Sequence, residues 1–183
     1  MRFNTKLLHG NKMGDANTGA TLTPVYQSSA FYQPSAEQHE KLFHNKATGF
    51  SYTRINNPTI FAFEERMTTL EGGIASVACA SGMAAITNAL LNIVTCGQEI
   101  VASTSLYGGS IDVFHDFEAF GIKMVFVDIS DVNAVEAAIN ENTRVIFAET
   151  IGNPKLDVVD IEALAELAHQ HNLPLVMDNT VAT

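Results

Sequence analysis

Five short apolar runs alternate with segments of helical character between residue 75 and the end of the chain. The runs lack polar alternation, which is typical of strands that are covered on both faces of a sheet. Because a helical crossover joins neighbouring parallel strands, this alternation predicts an α/β fold with a doubly wound, mainly parallel sheet. The predicted strands span residues 75–80, 100–103, 124–127, 145–148 and 175–177.

Helix start and stop signals mark the segments around these runs. Asn57 followed by Pro58 predicts a capped helix start, and Gly72 predicts the end of the same helix. Asp131 and Asp160 stand where two further helices need an N-cap. The other predicted helices span residues 83–94, 110–120, 132–140 and 161–171.

Residues 1–53 are rich in Gly, Asn, Thr, Ser and Gln and show no sustained periodicity. This composition predicts an extended N-terminal arm with one short helix near residues 37–43. Because so long an irregular segment is unusual inside a compact domain, we expect it to pack on a second subunit of a homo-oligomer. We therefore divide the chain into an arm and inter-subunit segment, residues 1–56, and a large domain, residues 57–183. No helix covers the last predicted strand before Thr183, so we expect this large domain to be incomplete.

Charge and composition exclude several classes of function. Ten Lys and Arg residues against twenty Asp and Glu residues give a formal net charge of -10, which argues against a nucleic-acid partner. The lack of a spanning apolar run or a signal peptide predicts a cytoplasmic protein with no membrane partner. The histidines have no carboxylate at metal-ligand spacing, so we expect no metal, and Cys79 and Cys96 are expected to be buried, reduced thiols.

Candidate ligand-binding residues follow the predicted strands, because ligands of open α/β sheets bind beyond the carboxyl ends of the strands. Ser81, Gly82 and Met83 come directly after the first strand and open a helix. Glycine lets a ligand approach the backbone, and the unpaired amides of a helix start attract an anion. The segment is therefore a candidate phosphate site, with an ordinary tight turn as the alternative.

Three further strand ends carry polar or aromatic side chains. Tyr107, before two glycines, is either a residue that stacks on a planar cofactor or an exposed loop tyrosine. Asn153 precedes a proline in a turn, and its side-chain amide can donate a hydrogen bond to a ligand. The alternative is that Asn153 only forms the turn. Asp178 follows an apolar run, and a partly buried carboxylate stays ionised only beside a cation or hydrogen-bond donors. We expect a protonated ring nitrogen or an equivalent cation as its partner.

Tyr52 and Arg54 form another polar group at the end of the predicted arm. A guanidinium recognises phosphate through two parallel hydrogen bonds, so this pair is a second candidate for an anion site. A solitary surface arginine is the alternative.

These motifs, in this order and spacing, resemble those of the Cys/Met-metabolism family of pyridoxal phosphate-dependent enzymes, which have fold type I. The resemblance extends from about residue 4 to residue 183. The motifs that carry it are Tyr52-Thr53-Arg54, Ser81-Gly82-Met83-Ala84-Ala85, Tyr107-Gly108-Gly109, Glu149-Thr150-Ile151-Gly152-Asn153-Pro154 and Asp178-Asn179-Thr180.

The resemblance implies pyridoxal 5'-phosphate as the cofactor and an amino acid as the substrate. It implies that Ser81, Gly82 and Met83 bind the cofactor phosphate. It also implies that Tyr52 and Arg54 reach that phosphate from a neighbouring subunit, in a dimer with shared sites or in a tetramer.

The remaining roles that the resemblance implies concern the cofactor ring. Tyr107 would stack on the ring and take part in proton transfer, and Asp178 would pair with the protonated ring nitrogen. Asn153 would contact the ring hydroxyl or the substrate carboxylate, and Thr180 is a further cofactor-binding candidate.

One family motif, Ser-x-Thr-Lys, is not found in the sequence. Its lysine binds the cofactor covalently in the family, and we expect it a short way beyond Thr183. We therefore expect the 183-residue chain to be inactive by itself, and a non-catalytic module is an alternative hypothesis. The lysines that stand outside such a motif are Lys6, Lys12, Lys41, Lys46, Lys123 and Lys155.

Within the family, residues 149–156 and 178–183 are most similar to those of O-acetylhomoserine sulfhydrylases. This similarity implies replacement of the γ-substituent of O-acetyl-L-homoserine by sulfide, giving L-homocysteine and acetate. Methionine γ-lyases often have a reactive cysteine two residues after the stacking tyrosine, where this chain has Gly109. Methionine γ-lyase and cystathionine γ-synthase stay open as alternatives.

Overall fold

The computed structural model describes residues 2–9 and 14–183. The chain separates into two compact units, Met1–Ala78 and Cys79–Thr183. The predicted division into an arm and inter-subunit segment, residues 1–56, and a large domain, residues 57–183, stays a prediction.

The described part of the first unit contains the helices α1 (Phe3–His9), α2 (Ala36–Phe43) and α3 (Pro58–Glu71). Helix α2 confirms the short helix predicted near residues 37–43. Helix α1 was not predicted, because its seven residues are too few to show a periodic pattern.

Asn57 fixes the start of α3 and ties the preceding segment to it. Its side-chain oxygen accepts a hydrogen bond from the Thr59 amide at 2.8 Å. Its side-chain nitrogen donates to the Tyr26 carbonyl and to the Thr53 hydroxyl, both at 3.0 Å. Asn57 is buried, and Gly72 ends the helix in a left-handed conformation with φ of 65°, so both predicted signals are confirmed.

Two extended parts of the predicted arm pair with each other inside the first unit. The Phe31 amide donates to the Ser51 carbonyl and the Thr53 amide donates to the Ser29 carbonyl, each at 2.9 Å. These bonds flank an isolated antiparallel bridge to Tyr52. The pairing holds the segment that carries Tyr52 and Arg54.

The second unit contains a four-stranded parallel sheet with the order β2-β1-β3-β4. Its strands are β1 (Glu99–Ser103), β2 (Lys123–Val127), β3 (Thr143–Glu149) and β4 (Leu175–Asp178). Its helices are α4 (Gly82–Leu91), α5 (Gly108–Ala119), α6 (Val132–Ala138) and α7 (Ile161–Gln170).

Alternate residues of the central strands enter two separate cores. Ile100 and Phe147 pack with Phe114 of α5 on one face of the sheet. Val101 packs with Leu164 of α7 on the other. Helices therefore cover both faces, and the predicted doubly wound α/β fold is confirmed.

Side-chain caps begin three of these helices, and those at Asp131 and Asp160 were predicted. The Ser81 hydroxyl accepts from the Ala84 amide at 3.1 Å, and the Asp160 carboxylate accepts from the Ala163 amide at 3.1 Å. Asp131 caps α6 in the same way. These caps fix where each helix begins relative to the strand before it.

The strand predicted at residues 75–80 is wrong. The segment is extended, but no strand of the described residues pairs with it, and pairing is what defines a strand. Ile74 and Val77 are exposed.

The expected burial of Cys79 and Cys96 is also wrong, since both are free and exposed. No helix in the described part of the chain is long and apolar enough to cross a membrane.

Candidate functional site

A pocket of about 390 Å³ lies where the carboxyl ends of β3 and β4 meet the start of α4. This volume is within the range of small-molecule sites. All of its lining residues belong to the second unit. Among them are the predicted site residues Ser81, Gly82, Met83, Tyr107, Asn153, Asp178 and Thr180.

The start of α4 presents hydrogen-bond donors to this pocket. Ser81 is extended, and its hydroxyl accepts from the amide of Ala84. The amides of Gly82 and Met83 have no acceptor among the described residues, as expected for a first helical turn. A Cβ atom at Gly82 would meet no atom within 4 Å, so open space lies over this backbone. The segment can receive an anion there.

Asp178 lies at the end of β4 and is half-buried. Its Oδ1 atom accepts a hydrogen bond from the Thr180 amide at 2.9 Å and another from the Thr180 hydroxyl. Its Oδ2 atom has no donor among the described residues. Thr180 therefore orients the carboxylate, and the second oxygen can accept from a cationic donor.

The ring of Tyr107 is placed by the two glycines that follow it. Tyr107 precedes the first turn of α5 and is 52% exposed. A Cβ atom at Gly109 would lie 2.5 Å from Cε1 of the Tyr107 ring, so only glycine admits the ring in this position. At Gly108 the added atom would meet nothing within 4 Å. Gly109 thus sets where the aromatic surface lies.

The loop after β3 positions Asn153. The Gly152 amide donates to the Asp157 carbonyl at 2.9 Å, and the Ser105 hydroxyl donates to the Asp157 carboxylate at 2.5 Å. A Cβ atom at Gly152 would lie 2.3 Å from the Ser105 hydroxyl oxygen. The backbone next to Asn153 is therefore tightly packed against the loop after β1.

Glu149 lines the pocket, although it was not predicted as a site residue. It is 4% exposed, and Oε1 accepts a hydrogen bond from the Tyr107 amide at 2.7 Å. Burial raises the pKa of the Glu149 carboxyl above its usual range; the Tyr107 amide opposes this rise and the Asp178 carboxylate adds to it. The sequence did contain a signal for Glu149, because it follows the apolar run 145–148 directly, as Asp178 follows the run 175–177.

Tyr52 and Arg54 lie in the first unit. The Arg54 guanidinium carbon is 5.4 Å from the centre of the Tyr52 ring, a cation–π arrangement. The predicted role of these two residues in phosphate binding stays a prediction.

A sequence profile of the Cys/Met metabolism PLP-dependent enzymes matches residues 4–183. The chain belongs to this family. The resemblance expected from the five motifs is thus confirmed, and with it the dependence of the family on pyridoxal phosphate.

The relatives of this chain differ from one another in activity. An O-acetyl-L-homoserine sulfhydrylase from Leptospira meyeri is 46% identical over 178 residues, which is 97% of this chain and 40% of the relative. An L-methionine gamma-lyase from Pseudomonas putida is 38% identical over 182 residues, 99% of this chain and 46% of the relative. The chain therefore spans less than half the length of these relatives.

A solved structure confirms the fold of this family member. It is of a protein from Campylobacter jejuni subsp. jejuni NCTC 11168, described as an O-acetylhomoserine (thiol)-lyase, and contains a pyridoxyl-lysine monophosphate. It superimposes with a TM-score of 0.94 at 33% identity over 100% of this chain and 45% of its own. The predicted fold type I class is confirmed.

Proposed function

We propose that the pocket at the carboxyl end of the sheet binds pyridoxal 5'-phosphate, with the phosphate at the start of α4. The unpaired amides of Gly82 and Met83 and the hydroxyl of Ser81 supply donors for phosphate oxygens. The open space over Gly82 leaves room for this close approach. Because the chain has a net charge of -10, an anion must be held by such local donors rather than by the overall field.

Asp178, which lines the same pocket, can pair with a cationic ring. The Asp178 carboxylate, oriented by Thr180, would accept a hydrogen bond from the protonated ring nitrogen and keep that proton in place. When bound, pyridoxal phosphate supplies an electron sink for negative charge on the substrate carbon beside the amine. The single observation that carries the proposal is that the unpaired amides at the start of α4 and the Asp178 carboxylate line one pocket.

Tyr107 and Asn153 would orient a ligand that is held by the start of α4 and by Asp178. The half-exposed ring of Tyr107 can cover a planar ligand, and its hydroxyl is available to move a proton. Asn153 is exposed at the pocket wall, where its amide can donate to a ring hydroxyl or a substrate carboxylate.

For Tyr52 and Arg54 we propose that they reach the cofactor phosphate of a neighbouring subunit, in a cytoplasmic homo-oligomer. The support for this role is chemical, since Arg54 offers a guanidinium and Tyr52 a hydroxyl donor. We propose no metal and no nucleic-acid or membrane partner.

For an enzyme of the relatives' full length, we propose γ-replacement on O-acetyl-L-homoserine. The Cγ–O bond breaks, hydrosulfide forms the Cγ–S bond, and L-homocysteine and acetate are released. The relative from Leptospira meyeri at 46% identity supports this reaction. Methionine γ-elimination is the second candidate, because a methionine γ-lyase is 38% identical. The 183-residue chain alone, without a Ser-x-Thr-Lys motif, should be inactive.

The test is a product analysis of the chain extended to the length of its relatives. With O-acetyl-L-homoserine and sulfide, we expect equal amounts of homocysteine and acetate. Methionine alone should yield no thiol at a comparable rate. Release of methanethiol from methionine, without homocysteine formation, would establish the second candidate in place of the first.

A further inference from the structure

Glu149 is a buried carboxylate that the proposed cofactor contacts do not use. It ends β3 and lies in direct register with Asp178, the last residue of β4. Register partners on neighbouring parallel strands project to the same face of a sheet. Glu149 therefore lies beside the proposed partner of the ring nitrogen, at the inner surface of the pocket.

The Glu149 carboxylate interacts with the backbone amides of two loops that border the pocket. Oε1 accepts a hydrogen bond from the Tyr107 amide at 2.7 Å, which fixes the residue that starts α5. The Asn153 amide also interacts with this carboxylate and lowers its pKa, which opposes the effect of burial. The two residues come from different loops, one after β1 and the other after β3.

We propose that Glu149 is a positioning residue of the cofactor pocket, which holds Tyr107 and Asn153 at a fixed separation through their backbone amides. This inference rests on the proposed function, because the two residues are those assigned to the ring and to the substrate. The carboxylate itself need not touch either ligand.

A glutamate performs this task better than its amide would. A carboxylate only accepts hydrogen bonds, so its two oxygens can serve both amides at once. A glutamine can accept from one of them, but its own NH₂ group then faces the other N–H donor. The charged groups that face Glu149 are Asp178 of β4 and Asp157 of the loop after β3.

The first experiment follows the backbone amides of the 183-residue chain by NMR as the pH is raised. We expect the Tyr107 and Asn153 amide protons to titrate with one common midpoint above 4.5, the ordinary value of a glutamate carboxyl. In Glu149→Gln this common titration should vanish. The matched control is Glu166→Gln, which removes the same charge from an exposed position on α7 and should leave the titration intact.

The second experiment measures ligand affinity by calorimetry. Pyridoxamine 5'-phosphate is the probe, because it carries the phosphate and the ring but has no aldehyde that could react with surface lysines. We expect Glu149→Gln to weaken its binding by about tenfold, the equivalent of one charge-assisted hydrogen bond. Inorganic phosphate, which needs only the start of α4, should bind both forms equally.

These outcomes separate the inference from the proposed function. If the wild-type chain binds no pyridoxamine 5'-phosphate, the proposed function fails for this pocket. If the wild type binds but Glu149→Gln binds equally well, or the two amides titrate independently, the role of Glu149 is overturned. If Glu149→Gln weakens the binding of pyridoxamine 5'-phosphate and of inorganic phosphate equally, the variant has lost structure generally, and the positioning role of Glu149 is also overturned. The wild-type titration decides the contacts even if the variant does not fold.

Discussion

A methyl group added at Gly152 should destabilise the second unit strongly, because no space exists for it. The new Cβ atom would lie 2.3 Å from the Ser105 hydroxyl oxygen and 2.4 Å from a carboxylate oxygen of Asp157. It must therefore separate these two groups, which are hydrogen-bonded at 2.5 Å. Losing a hydrogen bond to a charged acceptor costs about 1.5–3 kcal/mol, and overpacking adds about 1–3 kcal/mol. We expect Gly152→Ala to lower the free energy of unfolding by about 2.5–6 kcal/mol.

Urea denaturation of the 183-residue chain, followed by circular dichroism, measures this loss. The matched control is Gly108→Ala, where the added atom meets nothing within 4 Å and a helical position gains from alanine. In a Ser105→Ala background, Gly152→Ala should cost about 1.5 kcal/mol less, because the hydrogen bond is already gone. Equal stabilities of Gly152→Ala and Gly108→Ala would refute the packing described for this loop.

Three further predictions address the pocket and the sheet. Asp178→Asn should weaken pyridoxamine 5'-phosphate binding by about tenfold in calorimetry, since a neutral amide replaces the ion-pairing oxygen; unchanged affinity would show that the ring nitrogen lies elsewhere. Gly109→Ala should displace the Tyr107 ring and lower the affinity for pyridoxamine 5'-phosphate by about two- to tenfold, while the affinity for inorganic phosphate stays unchanged. A crystal structure of the variant would show the displaced ring. The Lys123 ammonium lies 2.8 Å from a carboxylate oxygen of Glu99 and lowers the pKa of Glu99. Because the Lys123 side chain is largely exposed, we expect Lys123→Met to remove only about 0.5–1 kcal/mol of stability. This contribution should be present above pH 4.5 and disappear as the pH falls through the folded-state pKa. Urea denaturation across this range measures it, and a pH-independent difference would contradict the ion pair.

The central strands of the second unit were predictable because burial on both faces leaves a simple sequence pattern. Residues 145–148 are apolar without interruption, and the structure buries each of them completely. Residues 75–80 have a similar composition but form no strand, because a strand also requires a hydrogen-bonded neighbour. Apolar composition favours an extended backbone, but it does not provide the neighbouring strand with which the segment would pair.

The pocket was predictable where a residue type has one dominant chemical use. Gly82 at a helix start and Asp178 after an apolar run were both predicted as site residues, and both line the pocket, while anion binding and carboxylate pairing stay predictions. Glu149 occupies an equivalent place in its strand, but the role we propose for it depends on the backbone amide of Tyr107, which is 42 residues away in sequence. Such contacts are visible only once the loops are placed.

The register of β3 and β4 has a consequence for how related activities can diverge. Glu149 and Asp178 are direct partners, so their spacing follows the inter-strand distance of a sheet, about 4.8 Å. No exchange of neighbouring side chains can change that distance while the two strands stay paired. Differences in reaction preference among relatives that keep both carboxylates therefore do not come from this spacing, whereas the surrounding loops can vary, and there a single glycine decides the position of a ring or an amide.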